Sequence, residues 1–190
     1  MDLSFNEHLI ILISVIYAFY ATIFLSGWGR MSRSIGKSSI PVLYIGWTVL
    51  LGLFVVQTWW ENFQLKEEMA EHIGYFYLVL IALTLLYFII YYMFPDNEFV
   101  KDMDYERYFF ENKAKIFLCT IGYLVMLMII SSLFKNIHFF AGENIVRLAG
   151  IIILGAAIIF NNRKAQMGIL AALILTLVIF VAYFRWGITG

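Results

Sequence analysis

Six long apolar runs dominate the pattern of hydrophobic and polar positions along this chain. No Asp, Glu, Lys, Arg or His falls in the middle of any run. A helix needs about 20 apolar residues to cross ~30 Å of hydrocarbon, because each residue rises only ~1.5 Å. The pattern therefore predicts an all-α fold, a polytopic transmembrane bundle of six helices, with spans at approximately residues 9–28, 40–60, 73–94, 116–134, 145–160 and 167–186.

Composition supports a chain whose surface mostly faces lipid. Of its 190 residues, 63% are hydrophobic and 14% are charged, whereas about a quarter of the residues in a soluble domain are charged. Six spans leave room for short connections only, so we expect residues 1–190 to form a single transmembrane domain with no soluble domain. The longest connection, residues 96–115, is predicted to be a cytoplasmic loop that forms either an amphipathic surface helix or an N-terminal extension of the fourth span.

The positive charges predict the orientation. Nine of the thirteen Lys and Arg residues lie in the connections between spans 1 and 2, 3 and 4, and 5 and 6. Lys and Arg resist translocation, so these connections are expected in the cytoplasm and both termini outside, in the periplasm or extracellular space. We expect a multi-pass protein of a bacterial inner membrane, with topology anchors at Arg30, Arg33, Lys37, Arg163 and Lys164.

A polar cluster near the outer ends of spans 2 and 5 is the candidate ligand site, comprising Gln57, Trp59, Trp60, Glu61, Glu143 and Arg147. If these spans are neighbours, Arg147 pairs with Glu61 and Gln57 bonds across helices, since a charge at this depth needs a partner. We favour a simpler interpretation, in which the two tryptophans form an aromatic belt and Arg147 extends outward to lipid phosphate.

Three histidines, His8, His72 and His138, fall near the outer ends of spans 1, 3 and 4. Three imidazoles on one face can hold zinc or copper. No two of them share an i, i+4 spacing, however, so we interpret them as interfacial residues and expect neither a metal site nor a cofactor. Enzyme signatures such as H-E-x-x-H, G-x-S-x-G and a glycine-rich phosphate loop are missing from the sequence, and we expect no catalytic residues.

The chain resembles an uncharacterised family of small six-span bacterial integral membrane proteins over roughly its first 135 residues. The resemblance is carried by three segments: Leu25-Ser26-Gly27-Trp28-Gly29-Arg30, then Trp47 with Gln57-Thr58-Trp59-Trp60, and Phe94-Pro95-Asp96. It implies a six-helix bacterial membrane protein and transfers no functional residue.

Three classes of function remain open. We place first a non-enzymatic channel-like, sensing or partner-binding subunit, because the bundle carries no charge at its midplane. It would contact the lipid bilayer, form a homo-oligomer or bind a membrane or cytoplasmic protein through loop 96–115. A zero net charge argues against nucleic acid. The alternative is a small-solute or lipid transporter with a site near the outer ends of spans 2 and 5. A membrane enzyme or cofactor carrier comes last.

Overall fold

Six α-helices make up the fold. The computed structural model describes residues 5–34, 41–64, 73–95, 103–134 and 141–184, and these ranges contain no strand. The helices are α1 (Phe5–Ser34), α2 (Val42–Gln64), α3 (Ile73–Met93), α4 (Tyr105–Phe134), α5 (Gly142–Ile159) and α6 (Arg163–Phe184). Each is long and apolar enough to cross a membrane. The predicted all-α fold with six candidate spans is confirmed, and no soluble domain is evident in the described ranges.

The fourth span begins earlier than its apolar run. Helix α4 starts at Tyr105, so it includes the second half of loop 96–115 and follows the predicted N-terminal extension; residues 96–102 lie outside the described residues. Asp104 caps this helix, because its Oδ1 accepts a hydrogen bond from the backbone N–H of Arg107 at 3.0 Å. This cap stabilises the start of α4.

Prolines mark two other helix ends. The carbonyl of Pro41 accepts hydrogen bonds from the backbone N–H groups of Tyr44 and Ile45 at 3.0 and 3.2 Å. Proline suits this position since the first residues of a helix need no N–H donor. Helix α3 stops at Met93, two residues before Pro95, because the residue before a proline is disfavoured in helical conformation.

The helices line a partly open internal space. Helix α3 packs most extensively against α4, which packs against α5; α5 packs against α6, and α6 returns to α2. Helix α1 lies against α2 and α3. Helices α5 and α6 form a hairpin, in which Gly168 is exposed and a Cβ added there would meet no atom within 4 Å. Close approach through Gly168 is therefore not the basis of this hairpin.

Two long-range contacts define one end of the bundle. Gly27, late in α1, lies against the ring of Phe94, just after α3. Arg163 at the start of α6 lies 3.7 Å from Glu106 at the start of α4. We call this end the basic face, because the described anchors Arg30, Arg33, Arg163 and Lys164 belong to it. Lys37 lies outside the described residues, and which compartment the basic face meets stays a prediction.

Candidate functional site: a cavity within the helix bundle

A cavity of about 140 Å³ lies among α2, α4, α5 and α6, with a contribution from α3. Its lining follows α2 from Trp47 near the basic face to Glu61 near the opposite face. That stretch rises ~21 Å, which is about two thirds of a ~30 Å hydrocarbon layer. Most of the wall is aliphatic or aromatic, and includes Leu50, Leu51, Phe54, Leu124, Leu154 and Leu173.

A buried ionic cluster closes the end of the cavity away from the basic face. The Arg147 guanidinium lies 3.7 Å from Glu61 and 3.5 Å from Glu143. It also donates hydrogen bonds to Asn144 Oδ1 at 2.8 Å and to Ser131 Oγ at 3.3 Å. The side chains of Arg147 and Glu61 are only 6% and 7% exposed. We call these five residues the Arg147 cluster.

The direction of Arg147 differs from the interpretation favoured on sequence. Extension of Arg147 toward lipid phosphate is wrong, because its side chain is buried and directed toward Glu61. Two carboxylates and two neutral acceptors satisfy the guanidinium inside the bundle, which a charge at this depth requires. The predicted Arg147–Glu61 pair is thus present, although α5 packs chiefly against α4 and α6.

Gln57 belongs to the same end of the cavity but not through a bond across helices. Its Nε2 donates to Glu61 Oε1 at 3.2 Å, one turn along α2. This bond holds the Glu61 carboxylate on the side of α2 that faces the cavity. Both residues line the cavity together with Arg147.

The two tryptophans of the predicted site face away from it. Trp59 and Trp60 are 38% and 46% exposed. Their ring centroids lie 6.3 Å apart, and neither ring lines the cavity. Their position matches the predicted aromatic belt.

Only one of the three histidines of the metal hypothesis lies in the described part of the chain. His8 is exposed on α1, and His72 and His138 lie outside the described residues. Within the described ranges, no three His, Cys, Asp or Glu side chains gather in a way that could hold a metal ion. The three-histidine hypothesis stays untested.

Sequence reasoning missed the neutral partners of Arg147 and the opposite end of the cavity. Asn144 precedes Arg147 by three residues, which places both on one helix face, and that face continues through the buried Gly150 and Leu154. Trp47 lies at the other end with a buried indole N–H that has no hydrogen-bond partner among the described residues.

Hydroxyl groups along the cavity are bonded to their own helices. Thr120 and Thr176 line the cavity, and each donates to the backbone carbonyl four residues earlier at 2.8 Å. Thr58 donates similarly to the carbonyl of Val55 at 2.9 Å. These three hydroxyl groups therefore satisfy their hydrogen-bonding needs within their own helices. The middle of the cavity is apolar, and such a space favours an apolar chain over a hydrated ion.

Comparisons with known proteins return no match. No protein-family model, curated protein or solved structure is significantly similar to the chain. The resemblance to a six-span bacterial family stays a prediction. What the structure supports is a helical protein with six candidate membrane spans.

Proposed function

We propose that this is a non-enzymatic membrane protein that binds a lipid-like amphiphile in its cavity, as a small lipid transporter does. One observation carries the proposal: an apolar cavity follows α2 from Trp47 to Glu61 and ends in the Arg147 cluster. The polar group would lie near Gln57, Glu61 and Arg147, and the cavity of about 140 Å³ would hold only part of the apolar chain, with the rest extending into the bilayer. We therefore prefer the transporter, which was the second function class inferred from the sequence, to the channel-like subunit.

The energetics favour recognition through the polar end. A chain that leaves the bilayer for the cavity exchanges one apolar surrounding for another, so it gains little hydrophobic free energy. Affinity must come from close packing and from hydrogen bonds in a low-dielectric site. The Arg147 cluster holds carboxylates and a guanidinium at such a site, and the polar group of a ligand would share or replace contacts that these groups make with one another.

An ion channel through one copy of the chain is less well supported. Conducting pores are lined by backbone carbonyls, charged rings or other polar groups, whereas the threonines of this cavity are bonded within their helices. The channel-like proposal then requires a pore between several copies of the chain. It therefore depends on assembly into a homo-oligomer or with a partner protein. Ion flux from proteoliposomes tests it, and flux through a monomeric preparation would contradict the lipid proposal.

The proposed setting is a bacterial inner membrane with both termini outside. The excess of Lys and Arg in alternate connections supports the orientation, and the choice of membrane rests on the resemblance to a bacterial family. In this orientation the Arg147 cluster lies toward the periplasm, and Trp47 lies toward the cytoplasm.

The binding proposal is tested by mass spectrometry of the protein purified in mild detergent. Gly150 lines the cavity, and an added Cβ there lies 3.6 Å from Leu124, so Gly150→Phe places a ring in the cavity. Gly155, on the same helix, has nothing within 4 Å of an added Cβ, so Gly155→Phe is the matched control.

We expect the wild type and Gly155→Phe to retain a bound amphiphile and Gly150→Phe to lose at least about nine tenths of it. Thr176→Leu, a smaller change in the same cavity, should lose part of it and covers the case in which Gly150→Phe does not fold. Equal retention by all folded variants, or a wild type that carries no amphiphile, contradicts the proposal.

A further inference from the structure

A second buried cation lies at the basic face, outside the cavity. Lys113 on α4 is 3% exposed. Its ammonium donates to three backbone carbonyls at the C-terminal end of α5, those of Ala157 at 2.8 Å, Ile158 at 3.1 Å and Phe160 at 2.7 Å. An ammonium has three hydrogens, so these carbonyls use all of them. We call the three carbonyl oxygens the carbonyl cage.

Gln166 on α6 completes this site. It is fully buried, and its Nε2 donates to the carbonyls of Ala157 and Phe160 at 2.7 Å each. Its Oε1 is buried without a hydrogen-bond partner among the described residues. A fourth oxygen, unused by the protein, therefore belongs to an amide that already contacts the cage.

The cage has the chemistry of a monovalent cation site. The last carbonyls of a helix carry partial negative charge, and carbonyl oxygens at helix ends coordinate Na⁺ in membrane proteins. Lys113 fits such a place because its ammonium is a compact point charge on a flexible stem. Among the described residues, no carboxylate lies within ion-pair distance of Lys113, so its charge is met by the carbonyl oxygens and by the ring of Phe110, whose centroid lies 5.7 Å from Nζ.

We propose that the carbonyl cage is a binding site for an alkali-metal cation, Na⁺ or K⁺, and that Lys113 occupies it as a tethered substitute for the ion. Because the ammonium is covalently attached to α4, the Lys113 side chain links α4 to α5 and α6 at any salt composition. Without the ammonium, a free cation binds the cage and the Gln166 amide turns to present Oε1 as a fourth ligand.

The test is the thermal stability of Lys113→Ala in NaCl, KCl and choline chloride at matched ionic strength. Ligand binding to the folded state raises Tm with ligand concentration. We expect the Tm of Lys113→Ala to rise by roughly 4 °C or more in Na⁺ or K⁺ relative to choline. The wild type should show no such difference.

Three controls separate an ion site from a general loss of packing. Lys115→Ala removes an exposed lysine of the same helix and should behave as the wild type. Lys113→Met keeps an apolar chain in the cage and should be destabilised equally in every salt. Lys113→Ala combined with Gln166→Leu should lose the cation response.

Two results would overturn the proposal. One is an equal Tm of Lys113→Ala in all three salts. The other is a Lys113→Ala protein that folds in none of them, since Na⁺ or K⁺ should supply the missing charge.

Discussion

The guanidinium of Arg147 on α5 lies 3.7 Å from the carboxylate of Glu61 on α2, with both side chains buried. The two helices face each other across the end of the cavity, while α5 packs chiefly against α4 and α6. The contact therefore ties together parts of the bundle that backbone packing leaves apart. A buried pair of this kind need not exceed an apolar pair in stability, but loss of one partner is severe.

Arg147→Met should lower the free energy of unfolding by roughly 3 kcal/mol or more, because it leaves Glu61 buried without its guanidinium. Equilibrium unfolding in mixed micelles measures this. Arg107→Met is the control: Arg107 and Glu111 form a 2.8 Å pair that is 78% and 57% exposed, and such a pair contributes about 0.5 kcal/mol or less. Similar losses in the free energy of unfolding for the two variants would show that the buried pair stabilises the protein no more than the exposed pair does.

Gly27→Ala should destabilise the contact between α1 and the end of α3. An added Cβ at Gly27 overlaps the ring of Phe94 near its attachment point, where the ring cannot simply move aside. Overpacking of this kind costs roughly 1–3 kcal/mol. Gly29→Ala, two residues further along, meets nothing within 4 Å and should be neutral or slightly stabilising, since Ala favours helix more than Gly does. Tm values of the two variants test this prediction. An unchanged Tm for Gly27→Ala would contradict the close packing of Gly27 against Phe94.

Trp47 should tolerate Phe and not Ala. Its ring lies 4.7 Å from Phe117 and 5.7 Å from Phe109 between centroids. Removal of the indole N–H breaks no hydrogen bond to a described residue, so Trp47→Phe should cost about 1.5 kcal/mol or less. Trp47→Ala leaves a cavity and should cost roughly 3–5 kcal/mol. Unfolding midpoints for both variants test the comparison; a severe Trp47→Phe would instead indicate a polar contact at Nε1.

Trp47 also reports on the proposed ligand. A brominated acyl chain in the cavity quenches a tryptophan that it contacts. In a Trp59→Phe, Trp60→Phe background, which removes two exposed indoles, fluorescence should therefore be quenched more by brominated lipid than after the further change Trp47→Phe. Identical fractional quenching of the two proteins would place the brominated chain outside the cavity.

Orientation is testable with single cysteines in a Cys119→Ser background. Gly142 and Asn161 are both exposed, at opposite ends of α5. With the termini outside, a membrane-impermeant maleimide added to intact cells should label Gly142→Cys and leave Asn161→Cys unlabelled until the cells are lysed. The reverse pattern would invert the topology.

The number and type of helices could be predicted because a bilayer imposes a minimum length on any apolar helix. The start of α4 was harder to predict. The charged residues of loop 96–115 left two alternatives open, a separate surface helix or an extension of the fourth span, and the helix that begins at Tyr105 is the extension.

The candidate site was predictable only in part. A charge near the end of a span needs a partner, which pointed to Arg147 and Glu61. The inward direction of the Arg147 side chain depends on which face of α5 meets the bundle. Packing against α4 and α6 determines that face. Lys113 was counted as a loop charge, although its spacing of four residues from both Phe109 and Phe117 places it on the buried stripe of α4.

The position of the Glu61–Arg147 pair along the chain also bears on biogenesis. The acidic member enters the membrane with the second helix, and its guanidinium follows three helices later. A nascent chain that stalls before α5 therefore holds Glu61 in the bilayer without this counter-ion. The ionic end can therefore be assembled only after the fifth segment has left the translocon.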